Sequence, residues 1–288
     1  MRALQEKVAQ ALGSSVIDLR PIAGGDINES YACTLADDRR IFLKYHPQAP
    51  PSMFAREAEG LQWLQASETL RVPKVLAFAS ADGPPPYFLA LELLSSAPKV
   101  PNFDEDLGRG LARLHQYGAD GFGFKNNNFI GTLPQDNRRE KSWSEFYRSR
   151  RLQPQLGMLR QRMGNLGGLE RKFDRFFARL PDWVGPEEAP SRLHGDLWGG
   201  NLHTGPRGEP CLIDPAVYGG HREMDLAMMK LFGGFGPRVF DAYLEAHPCA
   251  PGLGERIKLY QLYPLLVHAN LFGGHYVRSV ESVVDGFV

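Results

Sequence analysis

With 288 residues, 43% of them hydrophobic and 11% aromatic, the chain can build one large or two modest cores, and its composition excludes a disordered protein. Thirty-three basic residues balance thirty-three acidic ones, which excludes a net field that recruits nucleic acid or an anionic membrane surface. Three cysteines without a C-x-x-C pair, no apolar run of about 18 to 20 residues and charges in the first turns predict a cytoplasmic protein without a disulfide scaffold, membrane span or secretory leader.

In chain order, residues 2–12 form an amphipathic helical pattern that stops at Gly13. The segment Gly24-Gly25-Asp26-Ile27-Asn28-Glu29-Ser30 reads as a turn feeding a strand at 31–35. Asp37-Asp38 and Arg39 make a hairpin turn into a second strand, 40–45, with Phe42 and Lys44 on one face and Ile41, Leu43 and Tyr45 on the other. Residues 52–66 have helical period, with Phe54, Ala58, Leu61, Leu64 and Gln65 on one stripe. Glu57 falls on that stripe, whereas Glu59 lies about 200° around the helix and is expected to point outward. Strands at 74–79 and 87–93 follow, separated by a turn at 82–86, and 95–101 reads as a hinge. Helical signals then dominate at 103–117, 142–160, 168–179, 222–246 and 254–277. The order predicts an α+β fold of two lobes: residues 1–94 as an antiparallel sheet with one main helix, and 95–288 as a larger, mostly helical lobe.

One stretch carries most of the chemistry: His194-Gly195-Asp196-Leu197-Trp198-Gly199-Gly200-Asn201, followed by Ile213-Asp214-Pro215. The H-x-D-x-x-x-x-N spacing is that of a protein-kinase catalytic loop, and a second Asp follows on a short apolar run. Asp196 is placed to take a proton from an attacking hydroxyl. Asn201 and Asp214 are placed to hold Mg²⁺ against the phosphates of ATP. The glycines allow the loop to turn tightly, and a carboxylate at Asp214 within an apolar run needs a cation to offset its burial. His194 is expected to bond backbone and position the loop.

Lys44, with Glu57 on the next helix, fits a pair that grips the α- and β-phosphates. The Gly24, Gly25 and Asn28 turn matches no phosphate-loop pattern; it reads either as a plain hairpin or as a row of backbone N–H groups over the phosphates. Adenine is expected near the hinge, at Glu92 and Leu94. Trp198 suits either core packing or a flat wall for a sugar or an amine cation. The remaining histidines have no paired metal spacing, and no G-x-S-x-G or Cys–His arrangement supports a hydrolase.

The loop 194–201, together with Leu212 to Met228 and its Asp-Pro-Ala and Tyr-Gly-Gly-His-Arg-Glu stretches, resembles the fructosamine kinase family. The likeness continues through Gly24-Gly25-Asp26-Ile27-Asn28, Phe42-Leu43-Lys44, Gly121-Phe122-Gly123-Phe124, Arg150-Arg151-Leu152-Gln153-Pro154, Leu231-Phe232-Gly233-Gly234-Phe235 and Leu259-Tyr260-Gln261-Leu262-Tyr263. The resemblance implies a protein-kinase-like fold and ATP- and Mg²⁺-dependent phosphorylation of a ketosamine, commonly at sugar O3, which leads to deglycation. It implies that Asp196 is the base, Asn201 and Asp214 the metal ligands, Lys44 and Glu57 the phosphate-holding pair, and Trp198 a sugar-facing aromatic. His221 and Glu223 of the extended motif are expected at the substrate, and the partner is a small ketosamine or a glycated protein lysine. Many relatives carry Cys after the Gly-Gly, where this chain has Asp26, which argues against redox control through that loop. An aminoglycoside or other small-molecule phosphotransferase, and a catalytically weak nucleotide-binding module, are the alternative readings.

Overall fold

The computed structural model describes residues 1–22, 28–79 and 83–288. Gly24, Gly25, Asp26 and Asp82 lie outside the described residues.

The helix α1 (Arg2–Leu12) ends where Gly13 takes a left-handed conformation at φ 70°. Five strands follow: β1 (Val16–Pro21), β2 (Glu29–Leu35), β3 (Arg40–Tyr45) and, after helix α2 (Met53–Gln65), β4 (Val75–Ala79) and β5 (Phe88–Glu92). They make one antiparallel sheet in the order β1-β2-β3-β5-β4. Leu4 and Val8 of α1 pack on Cys33, Leu35, Ile41, Leu43, Phe88 and Ala90, so the Ile41–Leu43 face of β3 is the core face. Lys44 therefore faces the opposite side.

Strand β1 has no counterpart in the sequence pattern. A register shift between Val16 and Asp18 lets Val16 and Leu19, three apart, both pack on the core, which erases the two-residue alternation. On α2, Phe54, Ala58, Leu61 and Leu64 are buried as expected, whereas Gln65 is exposed. Glu59 does not point freely outward: its side chain is 16% exposed and pairs with Arg56 at 2.8 Å.

Helix α3 (Phe103–Tyr117) precedes a short hairpin, β6 (Asn128–Ile130) and β7 (Leu133–Gln135). Helix α4 (Trp143–Phe146) runs through a π-helical turn at Tyr147–Leu152 into α5 (Gln153–Met163), and α6 (Leu169–Trp183) follows. Strand β8 (Ser191–Leu193) leads into the loop carrying Asp196. Next come a 3₁₀ turn at Gly199–Asn201, the hairpin β9 (Leu202–Thr204) and β10 (Pro210–Leu212), and β11 (Tyr218–Gly220), which pairs back onto β8. The helical stretch expected at 222–246 is two helices, α7 (Glu223–Phe232) and α8 (Pro237–Ala246). The one at 254–277 divides into α9 (Leu253–Phe272) and α10 (His275–Asp285). Glycines at φ 73° (Gly233) and 68° (Gly273) make both breaks.

The chain gathers into two compact units, Met1–Leu107 with Asn201–Pro215, and Gly108–Gly200 with Ala216–Val288. Among the described residues, no helix is long and apolar enough to cross a membrane.

Candidate active site

In the first unit, three charged groups from distant parts of the sequence meet. Lys44 on β3 pairs with Ser30 of β2 and Leu89 of β5, so its backbone is fixed on both sides by the sheet. Its Nζ donates to Glu57 Oε1 of α2 at 2.7 Å and to Asp214 Oδ1 at 2.6 Å. The Lys44 side chain is 5% exposed, Glu57 12% and Asp214 39%. Burial works against the Lys44 charge, but the charges of Asp214 and Glu57 outweigh it and hold the ammonium pKa above its usual value. Burial raises the Glu57 pKa; Lys44 opposes that shift and the Asp214 charge adds to it. A single ammonium lies between the two carboxyl groups, an arrangement whose remaining negative charge a divalent cation would offset.

Asp214 follows β10 and sits at φ 56°, a left-handed conformation uncommon outside glycine and adopted more readily by Asp and Asn than by other residues. Backbone bonds hold the two residues before it. Leu212 N donates to Arg71 O at 2.8 Å, and Ile213 N donates to Asn201 O at 3.0 Å. Asn201 is buried, and its Nδ2 lies 3.4 Å from the Asp214 carbonyl oxygen, which turns the amide oxygen to the other side. An amide oxygen and a half-exposed carboxylate suit Mg²⁺, which completes its shell with phosphate oxygens and water. Among the described residues, no group of three or more His, Cys, Asp or Glu side chains could hold a metal by itself. The Asn201–Asp214 donor set would fit a metal whose remaining ligands are phosphate oxygens and water.

In the second unit, the loop after β8 is held by its backbone. His194 N donates to Asp225 Oδ2 at 2.8 Å and Gly195 N to Asp225 Oδ1 at 2.9 Å, while Ala216 N donates to His194 O at 2.9 Å. Gly195 stands at φ 83°, and a Cβ there would lie 2.1 Å from the Ala216 carbonyl oxygen, so only glycine fits. The Asp196 N–H points at His194 Nδ1, 3.3 Å away, which gives His194 the loop-setting role expected of it. Asp225 is fully buried on α7. Burial pushes its pKa up, but the hydrogen bond and charge of His115, with the backbone donors, win and hold it below the usual range. His115 Nε2 is 3.2 Å from Asp225 Oδ2, and its Nδ1 is 2.8 Å from Tyr243 OH. Sequence reasoning missed Asp225 and His115. The available signal was a lone acid inside the otherwise apolar Met224–Met229 run, which needs a buried partner.

Trp198 is 41% exposed, and its indole covers Gly200 so closely that a Cβ there would meet the ring at 2.3 Å. Asn28 Oδ1 is buried with no hydrogen-bond partner among the described residues. The Glu92 carboxylate is engaged by Arg71 and by the Lys74 N–H, and its own N–H donates to Lys74 O at 2.9 Å; Leu94 is a half-buried residue just beyond β5. His221 and Glu223, expected at the substrate, sit in the interior of the second unit instead. His221 stacks on Tyr260 at 5.3 Å, and Glu223 makes two 2.7 Å bonds to Arg256. Both side chains are buried near the end of β11, and His221 Nε2 has no hydrogen-bond partner among the described residues.

Comparison with known proteins places this arrangement. A family model described as fructosamine kinase matches residues 1–288. A protein of Enterococcus faecium assigned as a ketoamine kinase is 37% identical, over 93% of this chain and 94% of its own. A rice (Oryza sativa subsp. japonica) chloroplastic protein-ribulosamine 3-kinase is 34% identical, over 98% of this chain and 82% of its own. A crystal structure of a Thermobifida fusca protein assigned as a fructosamine-3-kinase superposes with a TM-score of 0.88 at 36% identity, covering 99% of this chain and 98% of that one. An aminoglycoside phosphotransferase in complex with ADP and hygromycin B shares the fold at a TM-score of 0.65 and 15% identity, over 99% of both chains.

Proposed function

The chain belongs to the fructosamine kinase family and is a phosphotransferase of kinase-like fold, and on that premise we propose that it transfers the γ-phosphoryl group of ATP to a sugar hydroxyl, O3, of fructosamine- or ribulosamine-type ketosamines. The observation that carries the reading is the Lys44–Glu57–Asp214 group, a buried cation held between two carboxylates beside Asn201. Lys44 would bind the α- and β-phosphates, with Glu57 fixing the direction of its ammonium. Asn201 and Asp214 would hold Mg²⁺, which would offset the negative charge of the phosphates. Asn28, with Gly24 and Gly25, would lie over the phosphates, and adenine would sit near Glu92 and Leu94.

Asp196 orients the acceptor hydroxyl and takes its proton as the oxygen attacks the γ-phosphorus and the bond to ADP breaks. Trp198 offers the sugar a flat apolar wall beside that base, and its ring face favours the ammonium of the amine. Phosphate on O3 leaves more readily than hydroxide, so the 1,2-enaminol form expels it from C3, and water then hydrolyses the resulting imine to free the amine and leave a 3-deoxy dicarbonyl sugar. Deglycation of a free ketosamine or of a glycated protein lysine follows from that chemistry, and we place it in the cytoplasm.

An assay of ATP consumption with fructoselysine, ribuloselysine and kanamycin tests this reading. Turnover with either ketosamine and none with kanamycin is expected. The reverse preference would assign an aminoglycoside kinase, and nucleotide binding without transfer to any acceptor would leave a binding module.

A further inference from the structure

Arg71 lies on the approach to β4 and joins three parts of the first unit. Its guanidinium bonds Glu92 at the end of β5 and, through Nη1, Glu209 Oε1 in the β9–β10 turn at 3.1 Å. All three side chains are more than two-thirds buried. The second Glu92 oxygen accepts from Lys74 N at 3.3 Å, and Glu209 Oε2 accepts from Arg207 N at 2.8 Å. The Arg71 backbone also takes part, since its carbonyl accepts from Leu212 N and the residue bridges Cys211 in parallel. The hinge segment adds Ala97 N to Gly205 O at 3.3 Å and Val100 N to Gly208 O at 3.1 Å. The clamped hairpin has Asn201 at its entrance and Asp214 two residues past its exit.

We propose that Arg71 is a positioning residue for phosphoryl transfer: by fastening the β9–β10 hairpin to the end of β5, it sets where Asn201 and Asp214 stand relative to Lys44. The proposal rests on the reading of Asn201 and Asp214 as ligands of a metal–nucleotide complex. Ion pairs whose side chains keep about a quarter of their surface in water contribute little stability. The consequence of this one is geometric, because Asp214 is held at a left-handed φ only two residues beyond the Leu212–Arg71 bond. A loosened hairpin lets Asp214 relax towards an ordinary conformation and moves its carboxylate from the metal position. Glu92, expected to touch the nucleotide, thereby acquires a second role through its side chain.

The test is equilibrium binding of a non-hydrolysable ATP analogue with EDTA and with Mg²⁺, on the wild type, Arg71→Met, Arg71→Lys and Glu209→Gln, with Arg39→Ala as a surface control. Metal-free binding is expected to be unchanged in all five. The gain in affinity on adding Mg²⁺ is expected to fall roughly tenfold in Arg71→Met, the lower end for losing a group that orients metal ligands. Glu209→Gln follows in the same direction, Arg71→Lys recovers part of the loss, and the Arg71→Met/Glu209→Gln double variant loses no more than Arg71→Met. Amide exchange at Leu212 and Ile213 accelerates in Arg71→Met while β2 and β3 keep their protection. An undiminished Mg²⁺ gain in Arg71→Met, or an equal loss with and without metal, overturns the proposal. A wild type whose nucleotide binding ignores Mg²⁺ overturns the functional reading itself, a separate failure visible before any variant is made.

Discussion

Lys44 keeps its charge because two carboxylates outweigh its burial, and the same balance makes each member of the group sensitive to loss of another. Replacing Lys44 with Met leaves Glu57 and Asp214 facing each other with no cation, at a cost of about 3 kcal/mol on the scale of broken buried pairs. A Lys44→Met/Glu57→Leu double variant is expected to regain most of that stability without regaining activity, because an apolar pair packs well but grips no phosphate. Denaturant midpoints and ATP turnover on the two variants check this, and stability that stays low in the double variant would contradict it. Lys44 and Glu57 were legible from strand alternation and helical period, since both lie in regular elements. Glu92 was not, because the arginine that occupies its carboxylate comes from a short connection with no periodicity.

The loop between β8 and the 3₁₀ turn is held through its backbone by one carboxylate on α7. Asp225→Asn keeps one acceptor but presents an amide N–H to a backbone donor, which leaves a buried donor unsatisfied at a cost of roughly 2 kcal/mol. The melting temperature of the variant should fall and its turnover should drop, with nucleotide affinity retained; unchanged turnover would separate Asp225 from the catalytic loop. The Asp196-to-Asn201 spacing was readable because the loop is local. The Asp225 contact spans thirty-one residues and the His115 contact over a hundred, so no spacing announces them. Element boundaries followed the same logic. Helix α3 matches its apolar period end to end, whereas the breaks after α7 and α9 depend on glycine φ values that periodicity does not encode.

At the level of the whole molecule, the sequence order suggested a division near residue 94, yet Asn201–Pro215 gathers with the first compact unit, through backbone bonds to residues 71, 97 and 100. Backbone pairing between distant segments leaves no mark on hydrophobic pattern, which is why that return was not legible. Charge burial is also global. Burial holds the pKa of His221, His247 and His268 below the ordinary value, against opposing neighbours such as Glu223 and Glu188 at His221. The unfolded chain takes up these protons near pH 6.5 and the folded chain only at lower pH, so stability is full above about 6.5 and declines as pH falls through that value. The melting temperature should therefore fall between about pH 7.5 and 5.5, with a shallower slope in His221→Gln; an identical slope would remove His221 from this account. In the proposed mechanism, Asp196 takes the proton of a ketosamine hydroxyl as that oxygen receives phosphate. Single-turnover transfer from MgATP to fructoselysine, or to ribuloselysine, by Asp196→Asn tests it most directly. The account predicts nucleotide binding close to wild type and transfer slowed at least about a hundredfold, and wild-type transfer by that variant would contradict it.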